Sequence, residues 1–492
     1  MQVIAVVRDS ITRNLKVIKI VSLLIMGILV LALGSHLLVY GDDKRTLAVG
    51  IVVLVLPMLL YTAVVRPFLF PLGLYVLLVP FDNLLSLDPR YGTVTKLVAI
   101  CAGLALVFAL VRNRRWVPPH RAVWLWLGLL VWMALSVFWA LDSVEATTRL
   151  ITYAELMVLY LVIAMMPLTP TDFKLFSITV ILGAFVASFY AVHLFHSGIN
   201  VQNATIDQQV ASRVFVRVGE SHIDPNAFAA ALLLPIALMM TFILQRQWSV
   251  TKLALIGVLL VLLGGIYVSA SRGAELAIGM MMIYLLIRGR HRAQVLLFCV
   301  VGLGTTLILT NPFARFGDAM KTGGAGRLSI WKVGFEAFKN HWLVGAGVGN
   351  FPVAYDRAYI FIYQNYIAGW HRASHNVFLG LAVELGIIGL ALGLIAWYQQ
   401  WRMLSFITKS EPLYDLRIAL ESTILGLFVA SLFLPSLPDK YIWLAFGFMA
   451  AARSLALNSS HSVYAVLPPV RLAKLPDENL FPSVHQKVRN HA

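Results

Sequence analysis

Long apolar runs separated by short polar breaks dominate the 492-residue chain. About 14 runs start near residues 18, 47, 68, 96, 122, 150, 173, 226, 252, 273, 294, 375, 417 and 441. Most reach the roughly 20 residues that a helix needs to cross about 30 Å of hydrocarbon. They are continuous rather than alternating, which excludes a transmembrane barrel. Two are weak: the run from Phe68 follows Arg66-Pro67 closely and reads equally as re-entrant, and the run from Gly273 is short. The pattern predicts an all-α polytopic membrane protein of about 12–14 transmembrane helices.

One polar break is much longer than the others. It divides the chain into N-terminal membrane helices (1–310), a large loop (311–374), C-terminal membrane helices (375–457) and a basic tail (458–492). Within the loop, Trp331, Phe335, Phe338 and Trp342 recur at helical spacing and predict an amphipathic helix with these aromatics on its apolar stripe. Arg8, Arg13, Lys16 and Lys19, then Arg112, Arg114, Arg115 and Arg121, then Arg246 and Lys252, then Arg288, Arg290 and Arg292, then Arg402 and Lys409 fall on one side if the spans alternate. The positive-inside rule makes that side cytoplasmic, with both termini there and the long loops 196–225 and 311–374 outside. The first run, Val17 to Tyr40, is long enough to stay as a span, and no small-residue cleavage site follows it.

Composition agrees. The chain is 60% apolar and only 13% charged, with a mean hydropathy of +0.81. Its net charge of +16 sits in short clusters between apolar runs, the distribution of an orientation signal rather than of a nucleic-acid surface. Cys101 and Cys299 both lie in apolar runs and suggest neither a disulfide framework nor a metal site.

The chemistry on the outer side is cationic, with an imidazole at the edge of a span. Arg272 lies in a Ser-Arg-Gly turn, against the orientation bias; it reads as a headgroup-snorkelling arginine, as a partner of Glu275, or as an anion ligand. Arg327 opens the predicted loop helix and must meet an anion or a carboxylate if its side is buried. Gly345-Ala346-Gly347-Val348-Gly349 has no preceding strand and no Gly-Lys-Ser/Thr, so it reads as a tight turn and not a phosphate loop. Ser374 reads as an N-cap, which would put His375 in the first turn of the next span, where the helix dipole and nearby Arg372 disfavour the imidazolium. Arg213 and Arg217, Asn226 in the helix start Asp224-Pro225-Asn226, Asn376 and Asp439 are supporting candidates. Glu220, His222 and Asp224 match no metal-ligand spacing.

In this order around one loop, the Ser-Arg-Gly turn, Gly-Arg-x₃-Trp, Gly-x-Gly-x-Gly-Asn and Ser-His-Asn-x-Phe-Leu resemble the O-antigen ligase/polymerase superfamily, most of all the ligases. The resemblance is concentrated in residues 265 to 400. It implies a metal-independent, cofactor-free inverting glycosyltransferase of the bacterial inner membrane with its site facing the periplasm. The large loop is then periplasmic. Such enzymes move a glycan from undecaprenyl pyrophosphate to a lipid A core sugar, to another repeat unit, or to a protein hydroxyl. It implies His375 as the base that deprotonates the acceptor, and Arg272 and Arg327 as ligands of the donor pyrophosphate; Asp439 aligns with a later acidic residue. A lipid or polysaccharide transporter is the competing class: Glu155, Glu384 and Glu421 lie in apolar runs, but no repeat relates the two halves.

Overall fold

A computed structural model describes residues 61–63, 65–81, 86–88, 92–196, 225–309, 326–363, 371–434 and 437–466. The runs from residues 18 and 47, the tail beyond residue 466, and Arg213, Arg217, Glu220, His222 and Asp224 lie outside these residues. The described chain is helical apart from one small hairpin, β1 (Ser86–Asp88) and β2 (Gly92–Thr93), which pairs Ser86 with Thr93. The helices are α1 (Leu72–Leu78), α2 (Val94–Asn113), α3 (Arg121–Ser136), α4 (Ser143–Met165), α5 (Pro170–His196), α6 (Pro225–Ala231), α7 (Leu233–Leu244), α8 (Val250–Ser269), α9 (Arg272–Arg288) and α10 (Arg292–Leu309). They continue with α11 (Arg327–Asn340), α12 (Phe351–Ile362), α13 (Val377–Trp401), α14 (Tyr414–Ser431) and α15 (Lys440–Val466).

Among the described residues, seven segments are long and apolar enough to cross a bilayer: Val94–Asn113, Arg121–Trp139, Ser143–Met165, Pro170–His193, Pro225–Leu244, Val250–Ser269 and Val377–Leu404. The run from Phe68 yields only the seven-residue α1, too short to span. The runs from residues 273 and 417 do form helices, and α14 can carry charge because it faces protein. In α14, Arg417 donates to Glu421 at 2.8 Å and to the Ser405 and Ile407 carbonyls, and Tyr284 donates to the other Glu421 oxygen at 2.6 Å. Both partners are almost fully buried, so losing either would strand a charge.

An aromatic knot joins α3, α13 and α15. Trp126 stacks on Phe446 at 5.1 Å, Trp397 meets Phe446 edge-on at 5.3 Å, and Trp443 meets Trp126 at 5.3 Å. Beside it Tyr160 donates to Gln400, which donates to the Phe446 carbonyl.

Contacts between element ends define two ends of the bundle. At the lower end, Val117 N–H donates to the Met165 carbonyl, Leu168 N–H to Ser454 Oγ, and Tyr414 to the Arg288 carbonyl. At the upper end, Asp142 N–H donates to Asn350 Oδ1, Ser271 to Asn226, and Lys440 to Thr93 and Thr95. Helix starts at 94, 143, 225, 272, 377 and 440 thus gather at the upper end, as simple alternation of spans requires.

The apolar run from 375 is not one rod. At Gly386 (φ 68°, ψ −170°) α13 breaks, and the chain before α12 fills the gap. Ile387 N–H donates to the Trp342 carbonyl, Ala346 N–H to Val383 and Gly347 N–H to Glu384, each at 2.8 Å. Irregular backbone at this depth persists because another segment supplies its hydrogen bonds. A Cβ on Gly386 would lie 2.2 Å from the Leu343 carbonyl oxygen.

Gly386→Ala should therefore cost more than about 3 kcal/mol of stability, combining a glycine-only backbone region with a direct clash. Gly257→Ala, in the open face of α8, should change it by no more than about 1 kcal/mol. Melting temperatures in detergent would separate the two. At the lower end, His120 caps α3 by accepting from Ala122 N–H. Burial, with Arg453 and Arg121 adding to it, holds its pKa near about 4 instead of 6.5. A depressed histidine stabilises the fold fully above the unfolded value and loses that contribution as pH falls from about 6.5 toward 4. His120→Asn, which keeps a capping oxygen, should flatten the loss of melting temperature across that window.

Candidate functional site

The upper end brings together three helix starts that carry the sequence candidates. Arg272 is the first residue of α9, and Arg327 the first of α11. His375 stands two residues before α13. The predicted cap at Ser374 is displaced: Asn376 is the N-cap, its Oδ1 accepting from Phe378 N–H and Leu379 N–H at 3.0 Å each. His375 therefore lies outside the first turn, in a left-handed conformation (φ 45°). A histidine tolerates this region better than most residues, yet it still costs of order 1 kcal/mol and fixes where the ring projects. The ring is half-buried, with Nδ1 sealed from solvent. Ser374 Oγ sustains the turn by donating to the Asn376 carbonyl.

Trp331 connects this turn to the loop helix. Its indole N–H donates to the Ser374 carbonyl at 3.1 Å, one residue from His375 and one helical turn from Arg327. The inward face of α11 is centred on Ile330, Val333, Gly334 and Ala337, with Trp331 and Phe338 of the predicted aromatic stripe packed partly buried at its edge; Phe335 and Trp342, the other two, are 56% and 57% exposed. Small and branched side chains let α11 lie close on α12 and α13. Gly334 marks that closeness, since a Cβ there would meet Leu379 at 2.9 Å and Phe351 at 3.2 Å.

Phe433, just beyond α14, connects the two arginines. Its ring lies under the Arg327 guanidinium, 5.6 Å from Cζ to centroid. Its Cβ and ring edge also pack on Gly273, where an added Cβ would come within 3.1 Å. Gly273 follows Arg272 directly, so Phe433 is wedged between the two cationic turns. A cation–π contact uses the face of the guanidinium and does not consume its in-plane N–H groups. The Arg272 turn is braced from behind: Ser271 Oγ accepts from Ala274 N–H and donates to Asn226 Oδ1. Arg272 and Arg327 each stand at the positive end of a helix, on either side of Phe433.

Other groups build the frame. Glu384, at the α13 break, accepts from Gly349 N–H at 2.9 Å and Phe351 N–H at 3.4 Å, so its carboxylate caps the start of α12 from another helix. The glycine-rich turn does lie between loop helices, with Gly345, Gly347 and Gly349 all at positive φ. It is packed down on α3, α4 and α13: a Cβ at these positions would strike Glu384 O, Ala140 and Arg149. Asp439 accepts from Tyr441 and precedes Lys440, on the α2 side of the connector that begins at Phe433. His371 pairs with Asp356 at 2.8 Å in the exposed part of the loop. Trp331, Phe433 and Glu384 were not singled out as site residues from sequence; Glu384, a carboxylate inside an apolar run, and Trp331, in the Gly-Arg-x₃-Trp motif, carried a signal there, and Phe433 carried none.

Residues 226–394 match the profile of a family described as O-Antigen ligase. The matched stretch contains Asn226, Arg272, Arg327, Trp331, His375 and Glu384. No curated protein matches the chain.

The Trp331 contact has a direct consequence. Trp331→Phe removes one hydrogen bond, worth about 1 kcal/mol, and loosens the turn that holds His375. Carbethoxylation of His375, followed by peptide mass mapping, should run faster in this variant than in the wild type. Unchanged labelling would mean that the turn is held without the indole.

Proposed function

We propose that this chain, which belongs through residues 226–394 to the O-antigen ligase/polymerase superfamily of glycosyltransferase-like enzymes, transfers a glycan from undecaprenyl pyrophosphate to a sugar hydroxyl of lipid A core. The reaction would take place at the periplasmic face of the bacterial inner membrane. The observation that carries the reading is the chain of contacts from Gly273, beside Arg272, through Phe433 to Arg327 and Trp331, and on to Ser374 beside His375. It unites a double cationic corner with a positioned imidazole, although the residues come from three separate helix starts.

The chemistry fits those groups. The acceptor oxygen attacks the anomeric carbon from the face opposite the pyrophosphate, and the C–O bond to pyrophosphate breaks with its electron pair leaving on oxygen. The configuration inverts, and the acceptor proton passes to His375. Pyrophosphate is already a good leaving group, so the main demand is to stabilise the charge it gains. Two planar, permanently charged guanidiniums meet that demand through bidentate contacts, assisted by the helix dipoles behind them. The imidazole contributes a further 10²–10⁴-fold or so as general base. Asn376 supports the reaction by fixing the turn that carries His375, and Asn226 by bracing Ser271 next to Arg272.

Acceptor choice separates this reading from its relatives: a polymerase would extend a second lipid-linked repeat unit, and a protein O-oligosaccharyltransferase would modify a hydroxyl on protein. In a reconstituted assay with one lipid-linked donor, wild-type protein should glycosylate lipid A core in preference to a second donor or a protein acceptor. His375→Ala should lower turnover by about 10²-fold or more with donor binding retained. Arg272→Lys and Arg327→Lys should each weaken transfer at least roughly tenfold, because an ammonium cannot reproduce a bidentate grip. Full transfer by His375→Ala at normal expression would remove the imidazole from the mechanism.

A further inference from the structure

The segment that carries His375 is held at a second point, by a different helix. Residues 371–376 lead into α13, and two of them, His371 (φ 60°) and His375 (φ 45°), take the left-handed backbone conformation. That conformation is unfavourable for a residue with a side chain, and it persists where surrounding contacts over-determine it. Beside His375 the contact is the Trp331 indole on the Ser374 carbonyl. At His371 it is Asp356.

Asp356 lies in the second turn of α12, with its side chain only 12% exposed. Both of its carboxylate oxygens serve one residue. Oδ1 accepts from the His371 backbone N–H at 3.0 Å, and Oδ2 lies 2.8 Å from His371 Nδ1. These contacts differ in what they hold. The His371 imidazole is 74% exposed, so water screens its pairing with Asp356. The backbone bond to a carboxylate is charge-assisted, and it fixes the path of the main chain rather than the pose of a side chain. Four residues of chain reach at most about 14 Å, so fixing His371 limits where His375 can stand. The helix that supplies Asp356 is itself anchored: Glu384 caps its start from α13, and its inner face packs on α11.

We infer that Asp356 is a positioning residue for His375, acting through the backbone N–H of His371. Asp356 on α12 and Trp331 on α11 clamp the 371–376 segment at two points, and the imidazole between the second point and α13 inherits a fixed place. The value of that place for catalysis rests on the proposed transfer reaction; the clamp itself does not. Asp356 works through the main chain, so its loss acts on turnover and not on substrate binding.

The test follows three histidines in the full-length, reconstituted protein. Trypsin cutting after Lys339, Arg357, Arg372 and Arg402 places His341, His371 and His375 in three separate peptides, each with a single histidine. Asp356→Ala, which puts a good helix former in α12, should speed carbethoxylation of His375 several-fold. His341, at the end of α11, should keep its wild-type rate, which marks local release of the segment rather than general loosening of the loop. Asp356→Asn, whose amide oxygen still accepts from the His371 N–H, should restore most of the wild-type behaviour. His371→Asn keeps that N–H and tolerates left-handed backbone, so it should change His375 labelling by no more than about twofold. With a lipid-linked donor and lipid A core, Asp356→Ala should lower kcat roughly tenfold or more and leave both KM values unchanged. A wild-type rate of His375 labelling in Asp356→Ala, an equal acceleration in Asp356→Asn, or a raised KM in place of a lowered kcat would each overturn the assignment. Labelling that behaves as expected in a protein that transfers no glycan would support the clamp and count against the transfer reading alone.

Discussion

The backbone exchange at the α13 break is the constraint on which the upper end depends. A helix crossing a bilayer ordinarily satisfies its own N–H and C=O groups. Here Gly386 interrupts that pattern, and the chain from Trp342 to Gly347 completes it with three hydrogen bonds. Glu384 then reaches from the same break to the first N–H groups of α12. A loop that would otherwise ride on the surface is fastened to the membrane core. Because α11 and α12 pack on each other and on α13, fixing this one strap fixes the height of Arg327 and Trp331, and through Trp331 the turn at His375.

The corner so fixed is built from helix beginnings. α9, α11 and α13 all start at the upper end, and each start directs a partial positive charge toward the same region. Placing arginines at two of these starts concentrates positive potential that an apolar surrounding does not screen. Phe433 lies between the two starts, with its ring face against the Arg327 guanidinium and its edge against Gly273.

Much of this was legible in the sequence, and the limits are physical. Apolar runs fix helices because the bilayer penalises anything else, so the helices from Val94, Arg121, Ser143, Pro170, Pro225, Val250 and Val377 follow from length and composition. Loop helices lack that constraint. The aromatic period in α11 gave the helix correctly and its buried face in part: Trp331 and Phe338 pack inward while Phe335 and Trp342 face outward, because near a headgroup layer aromatic residues gain from either placement. Ser374 and Asn376 are both good caps, and local sequence does not decide between them; the Trp331 contact with the Ser374 carbonyl holds Ser374 in the turn and leaves capping to Asn376. Phe433 was invisible because its importance arises only from what stands on either side of it in space.

Glu155, Glu384 and Glu421 all sit in apolar runs, and on sequence alone they are equivalent signs of a transport path. Their surroundings divide them. Glu421 is enclosed with Arg417 and ties the lower ends of α9 and α14 together. Glu384 accepts from two backbone N–H groups and serves as a remote helix cap. Glu155 faces Lys96 with more than a third of its side chain exposed. A continuous transport path would string such groups through the bundle from end to end, whereas these three belong to different helices and answer to different partners. All three are accounted for by partners within the fold, Glu155 by a lysine in the first turn of α2.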